Sequence, residues 1–188
     1  MSCSLRAATV TDLDALCHLE EICFDGDRFT RRQLAYLLAR ANAYTLVAYA
    51  TPGDEVVGYA TLLFRRNSRL TRLYSFCVAP QARGGGVGRA LIEALEREAR
   101  RRDMTRLQLE VRADNRVALG LYRRMGFSVL RWLEGYYVDG CAAWKMDKAL
   151  PSAGQAQVPQ DKLGEGESRD DECREHARIA PDLSPARK

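Results

Sequence analysis

Residues 78–91 read VAPQARGGGVGRAL and place four glycines within five positions, directly before an amphipathic segment. Glycines allow a backbone to adopt left-handed conformations and to approach a ligand closely. Apolar periodicity predicts a helix over 87–102, and the preceding residues predict a strand over 72–78. A helix that starts directly after such a loop directs unpaired N–H groups and a partial positive charge towards it. The stretch therefore predicts an anion site, typically one for phosphate.

Two familiar phosphate-binding loops do not match this stretch. A Walker loop needs Gly-Lys-Ser/Thr after its glycines, and that sequence does not follow here. The dinucleotide fingerprint needs a third glycine where Arg89 stands. The remaining alternative is a glycine turn without a ligand. The immediate start of a helix and the flanking Arg83 and Arg89 favour the anion site over that alternative.

The chain on both sides of the loop alternates predicted strands and helices. Seven strands are expected over 4–8, 44–50, 55–64, 72–78, 106–111, 127–133 and 141–147. Four helices are expected from Thr11 onwards and over 29–41, 87–102 and 115–125, the last ending at Gly126. This order indicates a mixed α/β or α+β domain.

The composition changes after Leu150, which we predict to end a folded domain over 1–150. Residues 151–188 lack aromatic residues and are rich in Gly, Pro, Gln, Ser and charge, so they are predicted to be a disordered tail, with at most a short helix over 170–179. That tail holds six basic and eight acidic residues, although the whole chain has a net charge of +4. The positive charge therefore belongs to the domain, where it suits an anionic cofactor or nucleic acid.

Several classes of protein are disfavoured by composition. No apolar run reaches the length of a membrane span, and the N-terminal sequence has no apolar signal-peptide core. The cysteines do not form a CxxC pair, which argues against a zinc site and against a disulfide framework. We therefore expect a cytoplasmic protein with reduced thiols, no membrane partner and no metal. The six cysteines are Cys3, Cys17, Cys23, Cys77, Cys141 and Cys173.

A second informative stretch, LEVRADNRVALGLYRRMGF at 109–127, lies one strand and one helix beyond the glycine loop. Together with RGGGVG at 83–88, it resembles the GNAT N-acetyltransferase superfamily, whose loop amides hold the pyrophosphate of CoA. The resemblance is greatest to bacterial enzymes that acetylate the N-terminal amine of ribosomal proteins. Their pattern places Glu110, Asn115 and Tyr122 at matching spacing, and it covers roughly residues 5–150.

This resemblance implies an α+β fold with a GNAT-like twisted, mostly antiparallel sheet, helices on both faces and a splayed central strand pair. Acetyl-CoA would enter the splay as co-substrate, and its pantetheine arm would pair with the main chain of the strand before the loop. Transfer would be direct in a ternary complex, without a covalent enzyme intermediate or a metal. The implied cofactor-binding residues are Phe76, Cys77, Val78, Arg83, Gly84, Gly85, Gly86, Val87, Gly88, Arg89 and Asn115.

Glu110 and Tyr122 are the catalytic residues that the resemblance implies. An ammonium group must lose a proton before it attacks a thioester, and a carboxylate can accept that proton directly or through water. A tyrosine hydroxyl near the sulfur can donate a proton to the departing thiolate. Each residue also has a simpler alternative role. Glu110 could face water on a strand, Tyr122 could be a core aromatic residue, and Asn115 could be only a helix N-cap.

A protein N-terminal amine is the expected acceptor, and a lysine side chain or a small-molecule amine is the alternative. The chain departs from the ribosomal-protein group after Tyr137, where VDGCAA at 138–143 replaces the usual acidic pattern. By resemblance, residues 23–27 border the acceptor site, and their acidic side chains could attract an amine. A non-catalytic acyl-CoA-binding regulator would share the glycine loop without needing Glu110 or Tyr122. Nucleic acid is not an expected partner, because few aromatic residues accompany the arginines.

Overall fold

The structure, a computed structural model, describes residues 2–24, 26, 28–39 and 42–151. Seven strands and four α-helices occur in these residues, in the predicted order. The strands are β1 (Ser2–Ala7), β2 (Ala43–Thr51), β3 (Val56–Phe64), β4 (Leu70–Val78), β5 (Arg106–Arg112), β6 (Ser128–Leu133) and β7 (Ala143–Ala149). The helices are α1 (Leu13–Cys23), α2 (Arg31–Ala39), α3 (Val87–Arg101) and α4 (Arg116–Arg124).

One sheet contains all seven strands, in the order β1-β2-β3-β4-β5-β7-β6. Every neighbouring pair is antiparallel except β4 and β5, which run parallel at the centre. The connection between these two strands is the glycine loop followed by α3, as a parallel crossover requires. The predicted α+β fold with a mostly antiparallel sheet is confirmed.

Helices cover both faces of the sheet, as two adjacent residues of β3 show. The Tyr59 hydroxyl donates a hydrogen bond to Glu20 of α1. A Cβ placed on Gly58 would contact Leu91 of α3 at 3.4 Å. Because successive strand residues point to opposite faces, α1 and α3 lie on opposite sides. We call these the α1 face and the α3 face.

The first helix begins two residues after its predicted start. Thr11 was expected to begin it, but α1 begins at Leu13 and follows a 3-10 turn over Val10–Asp12 whose N-cap is Thr9. The Thr9 N–H donates to the Asp12 carboxylate at 2.8 Å. Arg6 of β1 also donates two hydrogen bonds of 2.7 Å to Asp12. This tertiary ion pair selects the earlier cap, and periodicity within the helix carries no information about it.

The second helix and the last strand also differ from their predicted bounds. The helix expected over 29–41 begins at Arg31, because Thr30 caps it through hydrogen bonds with Gln33. The last strand runs from Ala143 to Ala149 rather than over 141–147. Its register is set by pairing with β5, in which Glu110 lies opposite Lys145. The predicted tail and the short helix over 170–179 lie outside the described residues.

Leu150 is the last residue of the described core. Its side chain is 1% exposed, and its N–H donates to the Thr105 carbonyl at 2.8 Å. Pro151, which follows, is exposed. The contacts of the C-terminal strand are thus complete at Leu150.

A chain shortened to end at Pro151 is expected to keep the melting temperature of the full chain and the rate of the acetyl transfer that the family resemblance implies. Ending at Pro151 keeps the new terminal carboxylate off the buried Leu150. The composition of 152–188 predicts few long-range contacts, so little should be lost. Calorimetric melting of both chains and a rate assay check this expectation. A large fall in either quantity would mean that the removed segment docks on the domain.

Candidate active site

The glycine loop follows β4 through a 3-10 turn over Pro80–Ala82 and leads directly into α3. Gly84 has a φ of 79° and Gly86 a φ of 84°. Gly86 is the N-cap residue of α3 and lies in the left-handed region. Residues with a Cβ avoid this region at a cost of about 1–2 kcal/mol. The two glycines therefore give the loop a shape that other residues would strain.

The amides of residues 84–89 are the feature of this loop that suits an anion. Among the described residues, no backbone or side-chain acceptor is hydrogen-bonded to any of these N–H groups. They lie at the N-terminus of a 15-residue helix, where the helix dipole adds partial positive charge. The exposed Gly84, Gly85 and Gly86 leave room for a ligand, and phosphate binding at this loop stays a prediction.

Gly88 serves packing rather than backbone conformation. A Cβ at this position would lie 3.1 Å from the Phe76 ring and 3.4 Å from Leu121. The glycine therefore allows the first turn of α3 to approach both β4 and α4. Val87 beside it is buried in the core, so only its main chain can face a ligand.

The two arginines of the loop are exposed and partly engaged. Arg83 Nε donates to the Val78 carbonyl at 3.0 Å. Arg89 Nε donates to Glu93 at 2.9 Å, one helical turn further on. A guanidinium has five N–H groups, so both residues keep donors for a phosphate. They also place positive charge at both ends of the loop.

The central strands separate where the predicted splay should be. Parallel pairing joins Leu70–Leu73 to Arg106–Leu109 and extends no further. Both strands continue beyond it, β4 to Val78 and β5 to Arg112. A bulge at Tyr74 accompanies the separation, because β3 pairs Leu62 with Leu73 but Thr61 with Ser75. Among the described residues, the side of β4 that faces β5 therefore has no strand partner along Phe76, Cys77 and Val78.

Glu110 is the first residue of β5 beyond the last β4–β5 pair, and its side chain is only 10% exposed. Arg72 Nε donates to Glu110 Oε2 at 2.6 Å. Lys145 Nζ lies 3.9 Å from Oε1, which is longer than a hydrogen bond. The alternative of a solvent-facing glutamate is wrong: Glu110 is a half-enclosed carboxylate with one oxygen bound by Arg72.

The Gly135-Tyr136-Tyr137 segment is linked to this carboxylate through Arg72. Arg72 Nη2 donates to the Tyr136 hydroxyl at 2.9 Å, so one guanidinium joins Glu110 to Tyr136. Arg112 lies over the Tyr137 ring, with its Cζ 4.8 Å from the ring centroid. The same Arg112 donates to Asp139 at 2.7 Å. The residues after Tyr137 lack the usual acidic pattern. Their one acidic side chain, that of Asp139, is bound by Arg112.

Tyr122 of α4 is 5% exposed and packs in an aromatic cluster. Its ring centroid is 6.1 Å from that of Phe76 and 5.6 Å from that of Phe127. Burial raises the pKa of the Tyr122 hydroxyl well above its usual value, and the nearby Tyr137 adds to this effect. The hydroxyl therefore stays protonated at neutral pH. Because Phe76 belongs to the unpartnered part of β4, Tyr122 lies beside the opening between the strands.

Glu110 and Tyr122 approach the opening from opposite faces of the sheet. Arg72, which binds Glu110, is the register partner of Gln108, two residues before Glu110. Phe76, which contacts Tyr122, points towards Gly88 of α3. Cys77 shares a face with its register partner Tyr59, which points to α1. Phe76, the neighbour of Cys77, therefore points to the opposite face. The carboxylate is therefore on the α1 face and the phenol on the α3 face, and the splay lies between them.

Asn115 is the N-cap residue of α4, as its simpler interpretation predicted. Its Oδ1 accepts a hydrogen bond of 3.0 Å from the Ala118 N–H. The side-chain NH₂ group is not used by this cap. The predicted contact with CoA would need that NH₂ group, so the two roles are compatible.

Two features of the α1 face were missed by sequence reasoning. Glu20 is 1% exposed and accepts hydrogen bonds from the Tyr59 hydroxyl and, at 2.6 Å, from the Phe29 N–H. Tyr74 carries a buried hydroxyl that has no hydrogen-bond partner among the described residues. The position of Glu20 on the apolar side of α1, four residues after Leu16, was the available signal for its burial.

We expect a Glu20→Gln variant to gain stability relative to the native chain as pH rises above about 4.3, where a glutamate in the unfolded chain titrates. Burial raises the pKa of Glu20 above its usual value. The folded chain therefore keeps this proton over a pH range in which the unfolded chain has lost it, and the native stability falls as pH rises through that range. Glutamine keeps an oxygen acceptor for Tyr59 and does not titrate.

Melting temperatures of both chains across this pH range test the expectation. Glu21→Gln is the matched control, because Glu21 is exposed beside Glu20. The difference between Glu20→Gln and native melting temperatures should grow with pH, whereas the control difference should stay flat. A Glu20→Gln difference that shrinks with pH would contradict the assigned burial effect.

A helix N-terminus with unbonded amides, next to a splayed strand pair, suits a phosphorylated carrier such as CoA. The acetyltransferase (GNAT) family model matches residues 13–127, which is more than half of the chain. The chain belongs to the GNAT acetyltransferase family. Within the described residues, no helix is both long and apolar enough to cross a bilayer.

Two curated relatives and one solved structure illustrate what this chain is similar to. An uncharacterized protein of Mycobacterium leprae is 35% identical over 141 residues, covering 73% of this chain and 38% of that protein. The streptothricin acetyltransferase of Streptomyces lavendulae is 40% identical over 89 residues, covering 47% of this chain and 46% of that protein. The chain thus spans less than half the length of either relative.

The solved structure is that of the ribosomal-protein-S18-alanine N-acetyltransferase from Escherichia coli. It matches with a TM-score of 0.72 and 25% sequence identity, covering 84% of this chain and 99% of that chain. The match extends over nearly the whole of that enzyme, so the shared architecture is complete rather than local.

Proposed function

We propose that this protein transfers the acetyl group of acetyl-CoA to a primary amine by direct attack in a ternary complex. The observation that carries the proposal is the end of β4–β5 pairing at Leu73 and Leu109. Glu110 is the next residue on one side of the resulting opening, and Tyr122 packs beside it from the other face. An amine and a thioester can meet there, with a proton acceptor and a proton donor on opposite sides.

The co-substrate would bind through main-chain groups. Its pyrophosphate would take the amides at residues 84–88, with Arg83 and Arg89 supplying charge from their remaining donors. Its pantetheine amides would pair with the free side of β4 along Phe76–Val78, as an added strand does. The side-chain NH₂ group of Asn115 would supply a further donor. Cys77 contributes main chain only, because its side chain is buried.

Glu110 would accept the proton from the amine through its Oε1 oxygen. Oε2 is engaged by Arg72 at 2.6 Å, whereas Lys145 is too far from Oε1 for a hydrogen bond. The Arg72 contact fixes the orientation of the carboxylate and directs Oε1 towards the acceptor or an intervening water. A chain terminus needs less help than a lysine, since its ammonium has a pKa of ~8 rather than ~10.

A Glu110→Gln variant is expected to lose acetyl-transfer rate most strongly at low pH. Glutamine keeps the size of the side chain and removes the base. As pH rises past the pKa of the amine, at about 8 for a chain terminus, free amine forms without help and the rate should partly recover. The pH profile of kcat/KM for native and variant chains measures this change.

Glu55→Gln is a suitable control for that profile, because Glu55 is exposed in the turn before β3. Its profile should coincide with that of the native chain. A Glu110→Gln profile that equals the native one at every pH would remove Glu110 from the reaction. A uniform loss without recovery would indicate a binding or structural role.

The acceptor we propose is the N-terminal α-amine of a protein. The similarity to the Escherichia coli enzyme supports this choice, because its name gives an alanine of ribosomal protein S18 as its acceptor. A small-molecule amine is the second candidate, supported by 40% identity to a streptothricin acetyltransferase. The altered sequence after Tyr137 is the part of the chain in which acceptor preference would differ from the ribosomal-protein group.

Three acceptors compared at equal concentration test this assignment. The first is a peptide with a free N-terminal alanine and no lysine, the second is the same peptide with a blocked N-terminus and one internal lysine, and the third is streptothricin. CoA release and the mass of each product are measured. We expect acetylation of the first peptide to be fastest. Preferential acetylation of streptothricin would replace the proposed acceptor, and CoA binding without any product would favour a regulator.

A further inference from the structure

Two cysteine thiols meet beneath the end of α1, at positions far apart in sequence. Cys23 is the last residue of α1, and its side chain lies beside that of Cys77 on β4. Cys23 Sγ also lies 3.6 Å from the Val78 carbonyl oxygen. Cys23 is half-buried and therefore reachable from solvent, whereas Cys77 is 4% exposed. The pair thus has one accessible and one enclosed thiol.

The fold holds these thiols together through the contacts that fix α1 on the sheet. Glu20 lies one helical turn before Cys23 and is bound by the Tyr59 hydroxyl. Tyr59 is the register partner of Cys77 across β3 and β4. Residues three apart on a helix share a face, so anchoring Glu20 over Tyr59 brings Cys23 over Cys77. The contact therefore follows from packing of the whole face.

The two thiols also differ in acidity. Hydrogen bonding from Cys77 lowers the pKa of Cys23 to about 7, and the charge of Arg83 contributes in the same direction. Glu20 opposes this effect, and the Tyr59 hydroxyl is a further ionisable group facing Cys77. The same hydrogen bond, together with burial, raises the pKa of Cys77 well above its usual value. Cys23 is therefore the nucleophile of the pair, since the thiolate is the reactive form.

We propose that Cys23 and Cys77 form a redox-sensitive site that peroxides convert to a disulfide. The Cys23 thiolate attacks one peroxide oxygen, the O–O bond breaks, and Cys23 becomes a sulfenic acid. With hydrogen peroxide, the departing hydroxide takes a proton and leaves as water. The Cys77 sulfur then attacks the Cys23 sulfur, the S–O bond breaks, and the hydroxide takes the Cys77 proton to form a second water. Two thiols lose two electrons in total, and the peroxide gains them.

This product would be a covalent bond between α1 and the centre of the sheet. Such a bond restricts the unfolded chain over a long loop and raises stability when the native geometry accommodates it. Cys23 Sγ already lies 3.6 Å from the main chain of the residue after Cys77, and Cys23 is at the end of its helix, so closing the bond requires a local movement of Cys23. Reduction by an added thiol would reverse the change.

The test uses the full reduced chain, hydrogen peroxide as oxidant, and alkylation followed by peptide mapping under non-reducing conditions. We expect a cross-linked peptide joining Cys23 to Cys77, loss of two thiols per chain, and a higher melting temperature, all reversed by dithiothreitol. Cys23→Ser should abolish all three effects. Cys141→Ser is the matched control, since Cys141 is equally half-buried but lies elsewhere, and it should retain them.

Several results would overturn the proposal. After peroxide treatment, the native chain could lack the cross-link, or Cys23 could be oxidised to sulfinic acid without forming a disulfide. A cross-link from Cys23 to any other cysteine, including Cys173, would also contradict the proposal. A Cys77→Ala variant, which keeps the buried site apolar, is a second test of the proposed disulfide. Its Cys23 should oxidise without forming an intramolecular disulfide. Neither acetyl-CoA nor an acceptor is needed for these measurements, so their outcome is independent of the proposed acetyl transfer.

Discussion

A Gly86→Trp variant is expected to fold and to lose measurable affinity for acetyl-CoA. Gly86 caps α3 with a φ of 84°, and nothing lies within 4 Å of a Cβ built on it. The indole therefore meets no protein atoms at its base and projects into the space in front of the amides of residues 84–89. The proposed pyrophosphate site would be filled, while the fold would bear only the left-handed strain of about 1–2 kcal/mol.

Gly140→Trp is the matched control for this variant. Gly140 has a φ of 81° and equally open space around its Cβ position, but it lies in the loop before β7. The backbone strain is therefore similar and the location differs. Calorimetric titration with acetyl-CoA should show binding by the native and Gly140→Trp chains only. Unchanged affinity in a folded Gly86→Trp chain would rule out the glycine loop as the binding site.

A Tyr122→Phe variant is expected to reduce kcat by on the order of 10²-fold, with little change in acetyl-CoA affinity. Phenylalanine keeps the ring contacts with Phe76 and Phe127, so packing should survive. The hydroxyl is lost, and with it the donor to the departing sulfur. Burial raises the pKa of Tyr122 above that of a thiol. Its role in the proposed reaction is therefore to stabilise the developing thiolate by a hydrogen bond as the C–S bond breaks.

Tyr44→Phe provides the comparison, because Tyr44 is a half-buried tyrosine on β2, away from the opening. The rate of that variant should equal the native rate. Equal losses in both variants would indicate general destabilisation, and melting temperatures would reveal it. A native rate in Tyr122→Phe, on an acceptor that the native chain acetylates, would return Tyr122 to its alternative role as a core aromatic.

The parts of the fold that sequence could predict are those encoded locally. The glycines within 84–88 identified the loop, because they are visible in the sequence. Left-handed conformation selects glycine at Gly84 and Gly86, and close packing selects it at Gly88. The strand and helix order followed from periodicity, and the central splay followed from the family resemblance. Asn115 was recognisable as a cap because capping is a local interaction.

The parts that sequence could not predict depend on contacts between distant segments. Nothing near Glu110 indicates that Arg72 binds it, since the pair is created by β4–β5 register. The contact between Cys23 and Cys77 is likewise created by the anchoring of α1 on β3. Scattered cysteines without a CxxC pair argued against a zinc motif, but spacing along the chain does not report proximity across a sheet.

The central claim is direct acetyl transfer from acetyl-CoA to an amine at the β4–β5 opening. Its most direct test mixes the native chain with acetyl-CoA and the peptide that carries a free N-terminal alanine, and follows free CoA and acetylated peptide together. The account predicts that CoA appears only when the peptide is present and in a one-to-one ratio with peptide acetylated on its α-amine. Tight binding of acetyl-CoA with no CoA release in the presence of this peptide, the lysine peptide or streptothricin would contradict it.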